Sequence, residues 1–126
     1  MSAPPAPVRV LLVEDSDVYR ESLEFLLGSR ADVDVVGAVA DGASGVHAAR
    51  ELGPDVVVLD YRLPDMDGAE VVADLEANRI RPAIVFLSAS AGRPEYDAAS
   101  SAGAALVRKD EGIEALVRAI RTAAGR

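Results

Sequence analysis

Five side chains in this sequence would support metal and phosphoryl chemistry if the fold brought them together. They are the adjacent acids Glu14 and Asp15, a third acid at Asp60, the hydroxyl of Ser88 and the ammonium of Lys109. Lys109 is the only lysine in the chain; arginines supply the rest of the permanent positive charge. Three ionised carboxylates crowded at one place repel one another, and a hard divalent cation relieves that repulsion. Magnesium prefers oxygen ligands, keeps several waters and uses one or two carboxylates, which leaves a further acid free. A free aspartate can attack phosphorus and carry the phosphoryl group covalently. The transferred group then needs a cation and hydrogen-bond donors on its oxygens, and a lysine and a serine suit that task.

Each of these residues follows a short apolar run. Val8–Val13 leads into Glu14 and Asp15, Val56–Leu59 into Asp60, Ala83–Leu87 into Ser88, and Ala104–Val107, after Arg108, into Lys109. Such runs, rich in β-branched residues, read as strands buried on both faces. Val33–Val39 begins by alternating acid and valine, which suits a strand nearer an edge. Asp55–Asp60 is the most apolar run and suits a central one.

Helical patterns lie between the runs. Ser16 or Asp17 can cap a first helix, with the apolar positions Tyr19, Leu23, Leu26 and Leu27 at helical spacing and Gly28 as its stop. Asp41 can cap a second, which Gly53-Pro54 ends. Residues 61–67 read as a loop. A third helix runs from Gly68 to about Asn78, with Val71, Val72 and Leu75 inward. Arg93–Ser101 has alanines and polar residues but little apolar stripe, so the fourth helix is weak. The last carries Ile113, Leu116, Val117 and Ile120 on a single face and Glu114, Arg118 and Arg121 on the other.

Strands alternating with helices imply βαβ units, a parallel sheet and helices on both faces. Ligands of such sheets sit beyond the carboxyl ends of the strands. All the residues singled out above lie at carboxyl ends. Taken singly, Asp60 reads as a turn or cap residue, Glu14-Asp15 as a solvated pair, Ser88 as a loop serine and Lys109 as a surface lysine. Their coincidence on one sheet edge is what favours a shared site. His47, mid-helix and without clustered partners, reads as neither a metal ligand nor a phosphorelay histidine.

The chain has 126 residues, half of them apolar, enough for one domain with a real core. Its net charge of −8 and few aromatic rings argue against direct nucleic-acid binding. No apolar stretch is long enough to span a membrane. The absence of cysteine excludes disulfides and thiolate metal sites, and a cytoplasmic location is the expectation. Residues 1–7 are small and proline-rich and read as a disordered tail, residues 8–124 as the domain, and residues 125–126 as its C-terminal end or the start of a linker.

The ordered set resembles the receiver domain of two-component response regulators. Glu14-Asp15 matches the family's acidic pair. Asp60, within Val57-Val58-Leu59-Asp60-Tyr61-Arg62-Leu63-Pro64-Asp65-Met66-Asp67-Gly68, matches the phosphoacceptor strand and its loop. Ser88-Ala89 matches the switch hydroxyl and the small residue after it, and Lys109 the family's lysine. The resemblance covers residues 8 to about 124. It implies a flavodoxin-like (βα)5 fold with strand order 2-1-3-4-5. It also implies a sensor histidine kinase as phosphodonor to Asp60, and Mg2+ bound by Asp15 and Asp60, by Glu14 through water and by the backbone carbonyl of Arg62. Lys109-Asp110 and the valine-rich second strand are similar to NarL/LuxR-type receivers, which usually precede a helix-turn-helix DNA-binding domain. Transcriptional output and a homodimer through the fourth helix, fifth strand and last helix are implied on the same ground.

Two departures stand out. Leu106 occupies the position, three before the lysine, where the family often has an aromatic residue whose rotamer follows phosphorylation. Asp110 stands where the family often has a cis-proline. A leucine there is expected to stay buried, so any switching would run through Ser88 and shifts in the weak fourth helix. Arg62, expected to be exposed, could guard the phosphoryl group or steer a partner; Ser90 carries the same ambiguity.

Other functions fit less well. A phosphohydrolase of the haloacid-dehalogenase type wants an acid two residues after its nucleophile, where this chain has Arg62, and usually a cap domain. A flavodoxin-like cofactor binder wants a phosphate loop where Glu14-Asp15 would repel phosphate. A phosphorylation-independent protein-interaction module is the alternative that Leu106 keeps open.

Overall fold

The structure, a computed structural model, describes residues 5–90 and 92–126. The tail expected over residues 1–7 lies partly outside them; residues 5–7 are exposed and irregular. The elements alternate as β1 (Val8–Val13), α1 (Asp17–Gly28), β2 (Val33–Val39), α2 (Gly42–Leu52), β3 (Val56–Asp60), α3 (Gly68–Ala77), β4 (Ala83–Ser88), α4 (Arg93–Ala102), β5 (Ala105–Arg108) and α5 (Ile113–Ala123). A single 3-10 turn, Lys109–Glu111, joins β5 to α5. The strands form one parallel sheet in the order β2-β1-β3-β4-β5, the expected flavodoxin-like arrangement.

Strand side chains alternate between faces, so each strand feeds two cores. Val10, Leu12, Val58, Val85 and Leu87 pack with Leu23 and Leu27 of α1 and with Leu116, Val117 and Ile120 of α5. Leu11, Val13, Val57, Leu59 and Phe86 pack with Ala49 of α2, Val71 and Leu75 of α3 and Ala99 of α4. β3 is buried along its whole length, as its apolar run requires, while β2 at the edge is largely half-buried.

Most helix ends follow the caps legible in the sequence. Ser16 accepts the N–H of Tyr19, and Asp41 that of Ser44. Gly53 ends α2 at φ 56°, a left-handed conformation that costs glycine little. Gly28 does not act this way. It stays helical, and Ser29 closes α1 with an ordinary right-handed backbone. Leu26, at helical spacing with Leu23 and Leu27, is nevertheless 42% exposed, and Phe25 is 78% exposed. The helix turns only the row of Leu23 and Leu27 toward the sheet.

The loop after β3 is braced. Asp65 accepts the N–H groups of Gly42 (2.8 Å) and Ala43 (2.9 Å) at the start of α2. Those backbone donors hold its carboxyl below the ordinary range. Asp67 and Glu70 form a capping box on α3. At Gly68 a Cβ would lie 2.6 Å from the Phe86 ring and 3.2 Å from the Tyr61 backbone, so only glycine lets α3 start this close to the sheet.

Candidate functional site

The carboxyl ends of β1, β3, β4 and β5 deliver the predicted residues to one edge of the sheet. Asp60 is the last residue of β3, paired in register with Leu87 of β4. Glu14 and Asp15 follow β1, Ser88 ends β4, and Lys109 follows β5. Strand geometry sets their exposure. Glu14, Asp60 and Ser88 are buried at 1%, 5% and 5% exposure, whereas Asp15 is turned to solvent.

Carboxylate oxygens of Glu14, Asp15 and Asp60 lie within 4.8 Å of one another. Lys109 Nζ donates to Asp60 Oδ2 at 3.1 Å and makes an ion pair with Glu14 Oε1. That Glu14 contact is one of charge; its geometry gives Oε1 no hydrogen bond. The other Glu14 oxygen accepts the Ser16 N–H at 3.0 Å. The Arg62 N–H reaches Asp60 Oδ1 at 3.4 Å.

One ammonium therefore serves two buried carboxylates, which pushes their proton affinities apart. Burial, with the neighbouring Glu14 charge, pushes the Asp60 carboxyl up to about 7 against the pull of Lys109. Burial also raises Glu14, but Lys109 and the Ser16 N–H outweigh it and hold Glu14 below its ordinary value. Burial lowers the Lys109 ammonium, and the two carboxylates more than compensate, so it stays charged. An oxygen-rich set with surplus negative charge and one exposed side, Glu14, Asp15 and Asp60, fits a divalent cation.

Ser88 is at this edge, but its hydroxyl is engaged elsewhere. It donates to the Ser90 carbonyl and accepts the Ser90 N–H at 3.3 Å, closing a local turn. Leu106 is half-buried rather than buried: β5 is the edge strand, so the residue meets the α4 side of the core with only part of its surface.

Two contacts were not anticipated. Glu95, in the first turn of α4, is buried at 2% exposure and pairs with Arg62 at 3.4 Å. Arg62 itself is 77% exposed along its side chain, as expected, and lies over the Tyr61 ring. Nothing in the weak pattern of Arg93–Ser101 marked Glu95 as buried. Tyr19, expected only as one of the apolar helix positions, places the centre of its ring 4.8 Å from Lys109 Nζ. Its place in the first turn of the helix that directly follows the acidic pair was the available signal.

The chain compares closely with known proteins. The sequence model of the response regulator receiver domain matches residues 10–121. The transcriptional regulatory protein NarL of Mycobacterium tuberculosis is 35% identical over 95% of this chain and 56% of its own length. A protein-glutamate methylesterase/protein-glutamine glutaminase of Myxococcus xanthus is 36% identical over 95% of this chain and 38% of its own. The chain thus spans a minor part to about half of these relatives. Among solved structures, the signal receiver domain of NarL from M. tuberculosis superposes with a TM-score of 0.88 at 32% identity, covering 96% of this chain and 98% of that one. The response regulator domain of Thermotoga maritima CheB does so with 0.84 at 29% identity, covering 95% and 98%. With its sheet order and this match over nearly its whole length, the chain belongs to the response regulator receiver domains of two-component signalling.

Proposed function

We propose that this receiver domain accepts a phosphoryl group on Asp60 from a sensor histidine kinase and thereby changes its surface to control an output. The observation that carries the reading is the placement of Asp60, a buried strand-end carboxylate within hydrogen-bond reach of Lys109 and beside Glu14 and Asp15. An Asp60 oxygen attacks phosphorus in line, the Asp60 O–P bond forms, and the P–N bond of the phosphohistidine breaks. The departing imidazole nitrogen keeps the electron pair. Lys109 balances charge on one phosphoryl oxygen. Ser88 exchanges its turn with Ser90 for a hydrogen bond to another. Glu14, Asp15, Asp60 and the Arg62 carbonyl would hold Mg2+, which neutralises charge on the transferring group when bound.

The output is transcription, through a DNA-binding domain outside the chain. NarL, named as a transcriptional regulatory protein, supports this, and the net charge of −8 leaves DNA contact to another domain. No described helix is long and apolar enough to cross a membrane.

Incubation with Mg2+ and acetyl phosphate, followed by intact mass, tests the reading. The wild-type protein should gain one phosphoryl group, and Asp60→Asn should gain none. No gain by the wild type with acetyl phosphate or with a phosphorylated kinase would favour a module that works by protein contact alone.

A further inference from the structure

Among the described residues, the Lys109 ammonium has three partners, and the function proposed above uses two of them. Glu14 and Asp60 take its ammonium from the sheet side. The third is the face of the Tyr19 ring, 4.8 Å from Nζ, on the first turn of α1. An ammonium over an aromatic face at this distance is attracted by the ring's negative face, more strongly as water is excluded. The Lys109 side chain is 22% exposed, so the contact is partly desolvated.

The ring also borders a groove that the ammonium could enter. Tyr19, Leu26, Gly112 and Ile113 line a groove between α1 and α5 that opens beside Lys109. A long, flexible side chain could swing into it. The other course for the ammonium is to move wholly onto Glu14, already the nearer of its two carboxylates. Either movement withdraws positive charge from Asp60. Burial and the nearby Glu14 and Asp60 charges keep the Tyr19 phenol protonated despite Lys109, so the ring presents a neutral face.

We infer that Tyr19 is a positioning residue for phosphoryl transfer: its ring holds the Lys109 ammonium at Asp60, between Glu14 and the groove. The inference rests on the proposed function, since positioning matters only if Asp60 reacts. It assigns the work to the ring face and none to the hydroxyl. Tyr19→Phe should therefore keep it and Tyr19→Leu should lose it.

The single lysine makes the test direct, because one ε-methylene resonance reports on it alone. In the unphosphorylated protein that resonance should be shifted upfield by the Tyr19 ring. The shift should remain in Tyr19→Phe and vanish in Tyr19→Leu. With Mg2+ and acetyl phosphate, the maximal phosphorylation rate of Tyr19→Leu should fall roughly five- to tenfold. Its apparent affinities for Mg2+ and donor should stay within about twofold, since the metal ligands are untouched. Tyr19→Phe should react within about twofold of wild type on the same reasoning. A general loosening of the fold would lower metal affinity as well and would not separate Phe from Leu.

A Lys109 signal without an upfield shift, or a Tyr19→Phe rate as low as that of Tyr19→Leu, overturns the inference. The wild-type signal and Tyr19→Phe decide it even if Tyr19→Leu does not fold. A wild type that reacts normally beside an unshifted Lys109 signal sinks this inference alone. A wild type that takes up no phosphoryl group sinks the functional reading and the inference with it.

Discussion

The carboxylate of Glu95, buried at the first turn of α4, lies 3.4 Å from the guanidinium of Arg62, two residues beyond Asp60. This charge pair ties the loop after β3 to the start of α4. Among the described residues it is the only ion pair of Glu95. A phosphoryl group on Asp60 would compete for Arg62 and leave Glu95 buried without a counter-charge. That would loosen α4 without an aromatic residue at 106.

Removing the arginine should reproduce part of that effect. Arg62→Ala should cost about 1 kcal/mol of stability, kept small because the arginine side is solvated. Arg62→Ala combined with Glu95→Gln should recover most of the loss, because the uncompensated charge is gone. Urea unfolding of the four-member cycle measures this. Strictly additive effects would show that the pair is not coupled.

Asp60 should make stability depend on pH and on Mg2+. Its folded-state pKa, about 7, lies above the ordinary carboxylate value of 3.8. The folded state therefore binds the extra proton between those values. The associated stability is full below about pH 4 and is lost as pH rises through 7. At pH 8 Asp60→Asn should be more stable than wild type, by on the order of 1–3 kcal/mol. Mg2+ should raise the wild-type melting temperature more at pH 8 than at pH 5.5, where it must displace a proton. Equal shifts at both pH values would argue against metal binding at Asp60.

Gly68 should tolerate no side chain. A Cβ there would lie 2.6 Å from the Phe86 ring, which is fully buried and cannot withdraw. Gly68→Ala should cost about 1–3 kcal/mol by overpacking, although alanine is the better helix former. Thermal unfolding checks it. An unchanged or raised melting temperature would mean that α3 can move off the sheet freely.

The segment Arg93–Ala102 should respond to the site. It buries only Glu95 and Ala99, so few apolar contacts hold it to the sheet. Beryllium fluoride with Mg2+ as a phosphoryl mimic should change its amide exchange several-fold, and Ser88→Ala should blunt the change. Identical exchange with and without the mimic would remove α4 from the route.

The strands were legible because buried parallel strands write continuous apolar runs, and their carboxyl ends then locate Glu14, Asp60, Ser88 and Lys109. Helix caps at Asp41 and Gly53 were equally plain, and the first was narrowed to Ser16 or Asp17, of which Ser16 is the cap. What failed to show was tertiary. The burial of Glu95 depends on Arg62 arriving from another loop. The partial exposure of Leu106 follows from β5 being an edge strand. The outward face of Leu26 reflects where the sheet lies under α1, which spacing alone does not reveal. Ser88 was placed correctly along the strand, but its hydroxyl turns to Ser90, a local choice between nearby acceptors.

The phosphorylation proposed at Asp60 can be located directly. After reaction with Mg2+ and acetyl phosphate, borohydride reduces an aspartyl phosphate to homoserine, and peptide mass mapping locates it. Homoserine should appear at position 60, and only when Mg2+ and donor are both present. Unmodified aspartate at 60, with the phosphoryl group found on another residue, would contradict the proposal.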